Sequence, residues 1–140
     1  MNKMLALALA LVAEAYKNDF DKGGKPMMLH FIHVMNEVED EKDKIVAVLH
    51  DTVEDGKFTL LQLMEFGFDN EIVSAVGCLT KKPEEDYLGE YIPRVATNDR
   101  ARRVKKADLR HNSDITRIKG LRERDFKKMA VYHASYTYLS

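Results

Sequence analysis

The run Ile45-Val46-Ala47-Val48-Leu49-His50-Asp51-Thr52-Val53 is the segment that most narrows what this chain can become. It is apolar nearly all round a helical wheel. A helix over 44–53 therefore has no face to give to solvent and belongs at a centre, with other helices packed around it. The same run carries His50 and Asp51 and is followed at once by Glu54 and Asp55. Burying such groups costs on the order of several kcal/mol each unless a partner neutralises them. A metal ion is the obvious partner.

The flanking sequence supplies the helices that such a centre needs. A helix over 3–18 presents Leu5, Leu9, Val12 and Tyr16 on one face and stops before the Gly23-Gly24 pair. Its "MLALALALVA" stretch has the look of a secretory segment, but a single lysine precedes it and it is too short to span a bilayer, so the amphipathic helix is the reading taken. Pro26 suits the first turn of a second helix carrying "MMLHFIHVMNEV". After the central helix, Thr59 caps a short helix ending at Gly67, and Asp69 or Asn70 caps another with Ile72, Val76 and Leu79 inward. Pro83 opens the segment "EEDYLGEYI", Asn98 or Asp99 caps a helix through "RARRVKKADLRHN", and a last helix runs from Arg124 or Asp125 toward Tyr138. No hairpin turn falls between alternating apolar runs. The expectation is an all-α bundle of seven or eight helices forming one domain over 1–140.

Charge is unevenly spread. The net charge is −1, yet residues 1–93 hold 9 Lys/Arg against 18 Asp/Glu, and residues 94–128 hold 13 against 5. A basic second half suits phosphates. Aromatic residues are not interleaved with these cations as single-stranded nucleic-acid binding prefers, so a nucleic acid is not an expected partner. Arg94, Arg102, Arg103, Lys105 and Lys106 read as solvated helix faces; Lys22 and Lys25 beside the Gly-Gly loop and Lys81 and Lys82 after Thr80 are either ordinary surface lysines or, beside a phosphate site, its contacts. The single cysteine, Cys78, excludes an internal disulfide and a cysteine-based zinc site, and suits a reducing cytoplasm.

On a helix, His50 and Glu54 lie one turn apart, as do Asp51 and Asp55, which puts two pairs on adjacent stripes. Imidazole with carboxylate is good ligation for divalent manganese, iron or zinc. One helix cannot surround an ion. The preceding helix offers His30 and His33, and Asp108 stands alone as an acid within the basic and apolar "VKKADLRHN".

Taken in order, "KGGKPMMLH", "VLHDTVED", "FTLLQLMEFGFDNEIVSAVGCLTK" and "VKKADLRHN" resemble the HD-domain hydrolases, and within them the RelA/SpoT-type alarmone hydrolases, above all their small stand-alone forms. The resemblance spans roughly residues 5–135. It implies an HD-domain helical bundle in which His30, His50, Asp51 and Asp108 hold a divalent metal, usually manganese, with His30 preferred to His33 because it follows Pro26 at the family's spacing. It implies that Glu54 and Asp55 position and activate water, that Asn112 lies near the substrate, and that Lys128 and Tyr132 contact phosphate and base. The implied reaction is metal-dependent release of pyrophosphate from the ribose 3′ position of a guanosine 3′-diphosphate nucleotide of the ppGpp type, by a cytoplasmic enzyme with no membrane association. An HD phosphohydrolase for another nucleotide (a nucleoside monophosphate, or the 2′-phosphate of NADPH) and a nucleotide-sensing module without turnover are the alternatives. The chain departs from the family where "DFDKGGK" lacks the loop arginine that stacks on the base, a departure that bears on substrate choice and not on the metal.

Overall fold

The structure, a computed structural model, describes residues 3–140 and is all-helical, with no strand among the described residues. Its centre is α3 (Glu41–Leu49), which starts where the Asp40 carboxylate accepts the Asp43 backbone N–H. Every residue from Ile45 to Leu49 is buried. Around it pack α1 (Lys3–Ala15), α2 (Met27–Asn36), α5 (Asn70–Leu79) and α7 (Asp99–Asn112). The short α4 (Leu60–Glu65), α6 (Ile92–Ala96) and the long α8 (Glu123–Leu139) complete eight α-helices. The inward positions expected on α5, namely Ile72, Val76 and Leu79, are all buried in one continuous core with Val12, Phe31 and Val104. Thr59, Asp69 and Asn98 each accept a backbone N–H from the first turn of the helix they precede, as N-caps do.

Several elements differ from the sequence reading. Helix α1 ends at Ala15, before the expected 18. Helix α3 starts earlier and stops at Leu49, so His50 to Gly56 form consecutive turns and not a continuing helix. The His50 ring binds the Ala47 carbonyl at 2.6 Å, the Thr52 hydroxyl donates to the Leu49 carbonyl at 2.7 Å, and Gly56 closes the segment at φ +73°, where a side chain would be strained. The "EEDYLGEYI" segment becomes a π-helical turn over Tyr87–Tyr91 ahead of α6, opened by Asp86 accepting the Gly89 N–H at 2.7 Å. That turn sets the Tyr87 and Tyr91 rings 5.2 Å apart.

Candidate metal centre and adjoining cavity

Four ligand-type side chains converge from three parts of the chain. His30 comes from the start of α2, His50 and Asp51 from the turns after α3, and Asp108 from the end of α7. His30 Nε2 lies 2.8 Å and His50 Nε2 3.3 Å from Asp108 Oδ1, and His50 Nε2 lies 3.5 Å from Asp51 Oδ1. Single donor atoms of His30, His50 and Asp51 all fall within 4.8 Å of one another. His30, His50 and Asp108 are buried.

The histidine hydrogen bonds decide which nitrogen faces inward. A carbonyl only accepts, so the Ala47 carbonyl requires the proton of a neutral His50 to sit on Nδ1. Its Nε2 then turns a lone pair on two carboxylates, and this buried nitrogen has no hydrogen-bond partner. A buried acceptor facing acceptors is the arrangement that a cation resolves. A proton is drawn to the same place: burial opposes a charge on His50, but Asp51 and Asp108 outweigh it and push its pKa up to about 9. Burial acts on Asp108 too, yet Lys105, His30 and His50 hold its carboxyl well below the usual range. The donor set, two imidazoles and two carboxylates, fits a divalent ion such as manganese, iron or zinc.

His30 is itself oriented. Its Nδ1 meets Nδ1 of His111 at 2.7 Å. Burial, first, and then the charges of Arg117 and the neighbouring histidines lower the His111 pKa to about 4. A neutral His111 accepts from His30 Nδ1–H and leaves His30 Nε2 for the cluster. His33 stacks on the His111 ring, with ring centroids 3.8 Å apart, and turns its Nε2 to Glu37 at 3.2 Å. It stands in this histidine stack and outside the cluster.

Beyond α3, in the turns over 50–56, Glu54 and Asp55 are each fastened to a different element. Glu54 accepts the Lys81 backbone N–H at 2.7 Å, while Asp55 accepts the Tyr16 hydroxyl at 2.8 Å. Burial is the largest cause raising both carboxyl pKa values, and Asp51 adds to it in each.

Next to the cluster, a cavity of about 280 Å³ lies between the 20–23 loop, the end of α7 and α8. Asn112 joins the two: it lines the cavity, and its Nδ2 donates to Asp108 Oδ1 at 3.1 Å. Lys22, Lys128 and Tyr132 line the same cavity. The Lys128 amine, more than burial, lowers the pKa of Lys22, so two cations of the cavity lining act on each other. The other three lysines singled out in the sequence fall elsewhere. Lys25 is exposed and outside the cavity lining, Lys81 turns its ammonium back to the Lys82 carbonyl at 3.0 Å, and the Lys82 backbone N–H is bound by Glu85.

Several residues here escaped the sequence reading. An arginine does reach the cavity, from the turn before α8: Arg117 contacts Asp21 Oδ2 and Asn112 Oδ1, each at 3.3 Å, and the His111 carbonyl at 3.0 Å. The loop and this turn meet so closely that a Cβ on Gly23 would lie 2.6 Å from the Arg117 carbonyl oxygen. Lys105, expected on a solvated face, is largely covered: its side chain is 12% exposed and its ammonium lies 3.1 Å from Asp108 Oδ2. Arg94 and Arg103 are likewise engaged, with Glu85 and Asp43, and Lys106 lies over the Tyr136 ring.

No protein-family model matches this sequence, and no curated protein matches it. Among solved structures, the chain is similar to a metazoan ortholog of SpoT that hydrolyzes ppGpp and plays a role in starvation responses. The TM-score is 0.80 at 20% sequence identity, over 99% of this chain and 86% of that one. The protein therefore has the fold of that ppGpp hydrolase.

Proposed function

We propose that the protein is a manganese-dependent HD-domain phosphohydrolase that releases pyrophosphate from the 3′ position of a guanosine 3′-diphosphate nucleotide of the ppGpp type. The observation that carries the reading is the orphaned His50 Nε2 aimed into a cluster with His30, Asp51 and Asp108, on the fold of a ppGpp hydrolase. These four residues would hold the ion. Once bound, it supplies a Lewis acid for a phosphoryl oxygen and acidifies water.

The chain's own groups account for the rest. Glu54, with its carboxyl pKa raised, takes a proton from the attacking water. Asp55, held by the Tyr16 hydroxyl, orients that water. The water oxygen bonds to the phosphorus attached to the ribose 3′ oxygen and departs in pyrophosphate; the 3′ oxygen keeps the electron pair of the broken bond and takes up a proton. Asn112 fixes the ribose, while Lys22, Lys128 and Tyr132 bind the nucleotide's phosphates and base, and Lys25, Lys81 and Lys82 contribute positive charge from the rim. No helix among the described residues is long and apolar enough to cross a membrane, and a nucleotide substrate accords with a cytoplasmic setting.

The test is a panel of guanosine tetraphosphate, its adenosine counterpart, NADPH and nucleoside monophosphates, assayed with manganese and with chelator. Manganese-dependent pyrophosphate release from the first two alone is the expected result. Because Asp21 occupies the loop that carries arginine in the resembling family, the adenosine compound should compete better than it does in that family. Hydrolysis confined to NADPH or monophosphates would transfer the protein to another nucleotide, and binding without turnover would make it a sensor.

A further inference from the structure

Lys105 places its ammonium 3.1 Å from Asp108 Oδ2, in direct contact with the candidate metal centre, with a side chain only 12% exposed. It sits one helical turn before Asp108 on α7, so both side chains share a face. The two oxygens of Asp108 are divided: Oδ1 meets His30 and His50, and Oδ2 meets Lys105. Two aromatic rings also lie beside the ammonium, with the Tyr87 ring centroid at 5.6 Å and that of Tyr91 at 5.4 Å.

A lysine ammonium carries three donors, and Asp108 Oδ2 is the only acceptor that Lys105 reaches among the described residues. Burial raises the carboxyl pKa of Glu54 and the phenol pKa of Tyr132, and the charge of Lys105 opposes both rises. Lys105 thus touches the candidate metal cluster through Asp108, and its charge reaches Glu54 on one side and Tyr132 of the cavity lining on the other. A dication against Asp51 and Asp108 would use up both carboxylate charges and leave this ammonium without a full counter-charge in a largely covered position. Such a cation calls for an anion, and tyrosine faces shield it from water without neutralising it.

We propose that Lys105 is a phosphate-binding residue of the loaded site, donating to a non-bridging oxygen of the phosphoryl group under attack. It places the scissile phosphorus between the acid pair and the cavity, and offsets the charge that gathers on its oxygens as the bond to the ribose breaks. The inference rests on the metal site proposed above, and not on the identity of the nucleotide.

Lys105→Gln tests it, because the amide can still donate to Asp108 Oδ2 while carrying no charge; Lys105→Met is the companion that removes the donor as well. Manganese binding to chelator-stripped protein and inorganic pyrophosphate binding to manganese-loaded protein are measured by calorimetry, beside alarmone turnover. The glutamine variant should hold manganese as tightly as the wild type or more tightly, since a repelling cation is gone. Its pyrophosphate affinity should fall at least ~10-fold and its turnover ~10²-fold. The methionine variant should lose pyrophosphate in the same way if it folds. Unchanged pyrophosphate affinity in either folded variant overturns the proposal. So does parallel loss of manganese and pyrophosphate in the glutamine variant, which would make Lys105 a prop for Asp108. If no alarmone is hydrolysed but the glutamine variant alone loses pyrophosphate, the proposed substrate fails and Lys105 stands.

Discussion

Helices α3 and α7 enclose a buried carboxylate at each end of their contact, and the two ends are finished differently. At one end, Asp43 is met by Arg100 at 2.7 Å and by Arg103 at 2.6 Å, both from the first turns of α7. Asp40 and Glu71 share the Arg100 guanidinium, so every charge at that corner has a protein partner. At the other end, Asp108 faces two imidazoles and one lysine, with Asp51 beside them and His50 Nε2 unpartnered. Burial of charge is common to both corners. What separates them is completeness: the first is a closed ion-pair network, and the second leaves a buried nitrogen unpartnered, the feature on which the proposed metal site rests.

The comparison can be sharpened by substitution at each corner. The largest effect belongs to the open one. Glu54→Gln keeps the shape and removes the proton acceptor, so turnover should fall ~10²–10⁴-fold while manganese binding and unfolding free energy stay near the wild type, with Asp55→Asn behaving alike. Near-normal rates in both would return these residues to an ordinary solvated turn.

Asp43→Asn reverses the pattern. It leaves Arg103 without its carboxylate partner and should cost about 2–4 kcal/mol in urea unfolding, with manganese stoichiometry unchanged. A loss of metal there would mean that the two corners are one coupled network. The smallest effect is expected for Tyr16→Phe, which removes only the hydroxyl that holds Asp55. About 1 kcal/mol, divided between stability and rate, is what one such hydrogen bond supports, giving a rate loss of no more than ~10-fold.

How much of this was legible in the sequence depends on whether a residue's neighbours in the chain are also its neighbours in space. The central helix was legible because an apolar run without a polar face can go nowhere else, and α3 is buried as that run requires. Residue type alone singled out His50, Asp51 and Asp108 and left His30 and His33 open; the set of His30, His50, Asp51 and Asp108 came from the family resemblance, and the fold brings those four side chains together. The turns after Leu49 were not legible: helical periodicity continues through "HDTVED", and the ring-to-Ala47 bond that orients His50 leaves no trace in it. Lys105 was missed for a related reason. On α7 it is one of six Lys/Arg between Arg100 and Arg110, and what distinguishes it is the pair of tyrosines brought over it by a π-helical turn earlier in the chain. Arg117 carried no signal at all, since its partner Asp21 lies at the other end of the sequence.

The most direct measurement is a manganese titration of chelator-stripped protein, run on the wild type, Asp43→Asn and Asp108→Ala. Wild type and Asp43→Asn should each bind one ion per chain, and Asp108→Ala should bind none. That variant should also lose stability, because Lys105, His30 and His50 are left around a missing carboxylate. Full manganese retention by Asp108→Ala would contradict the account.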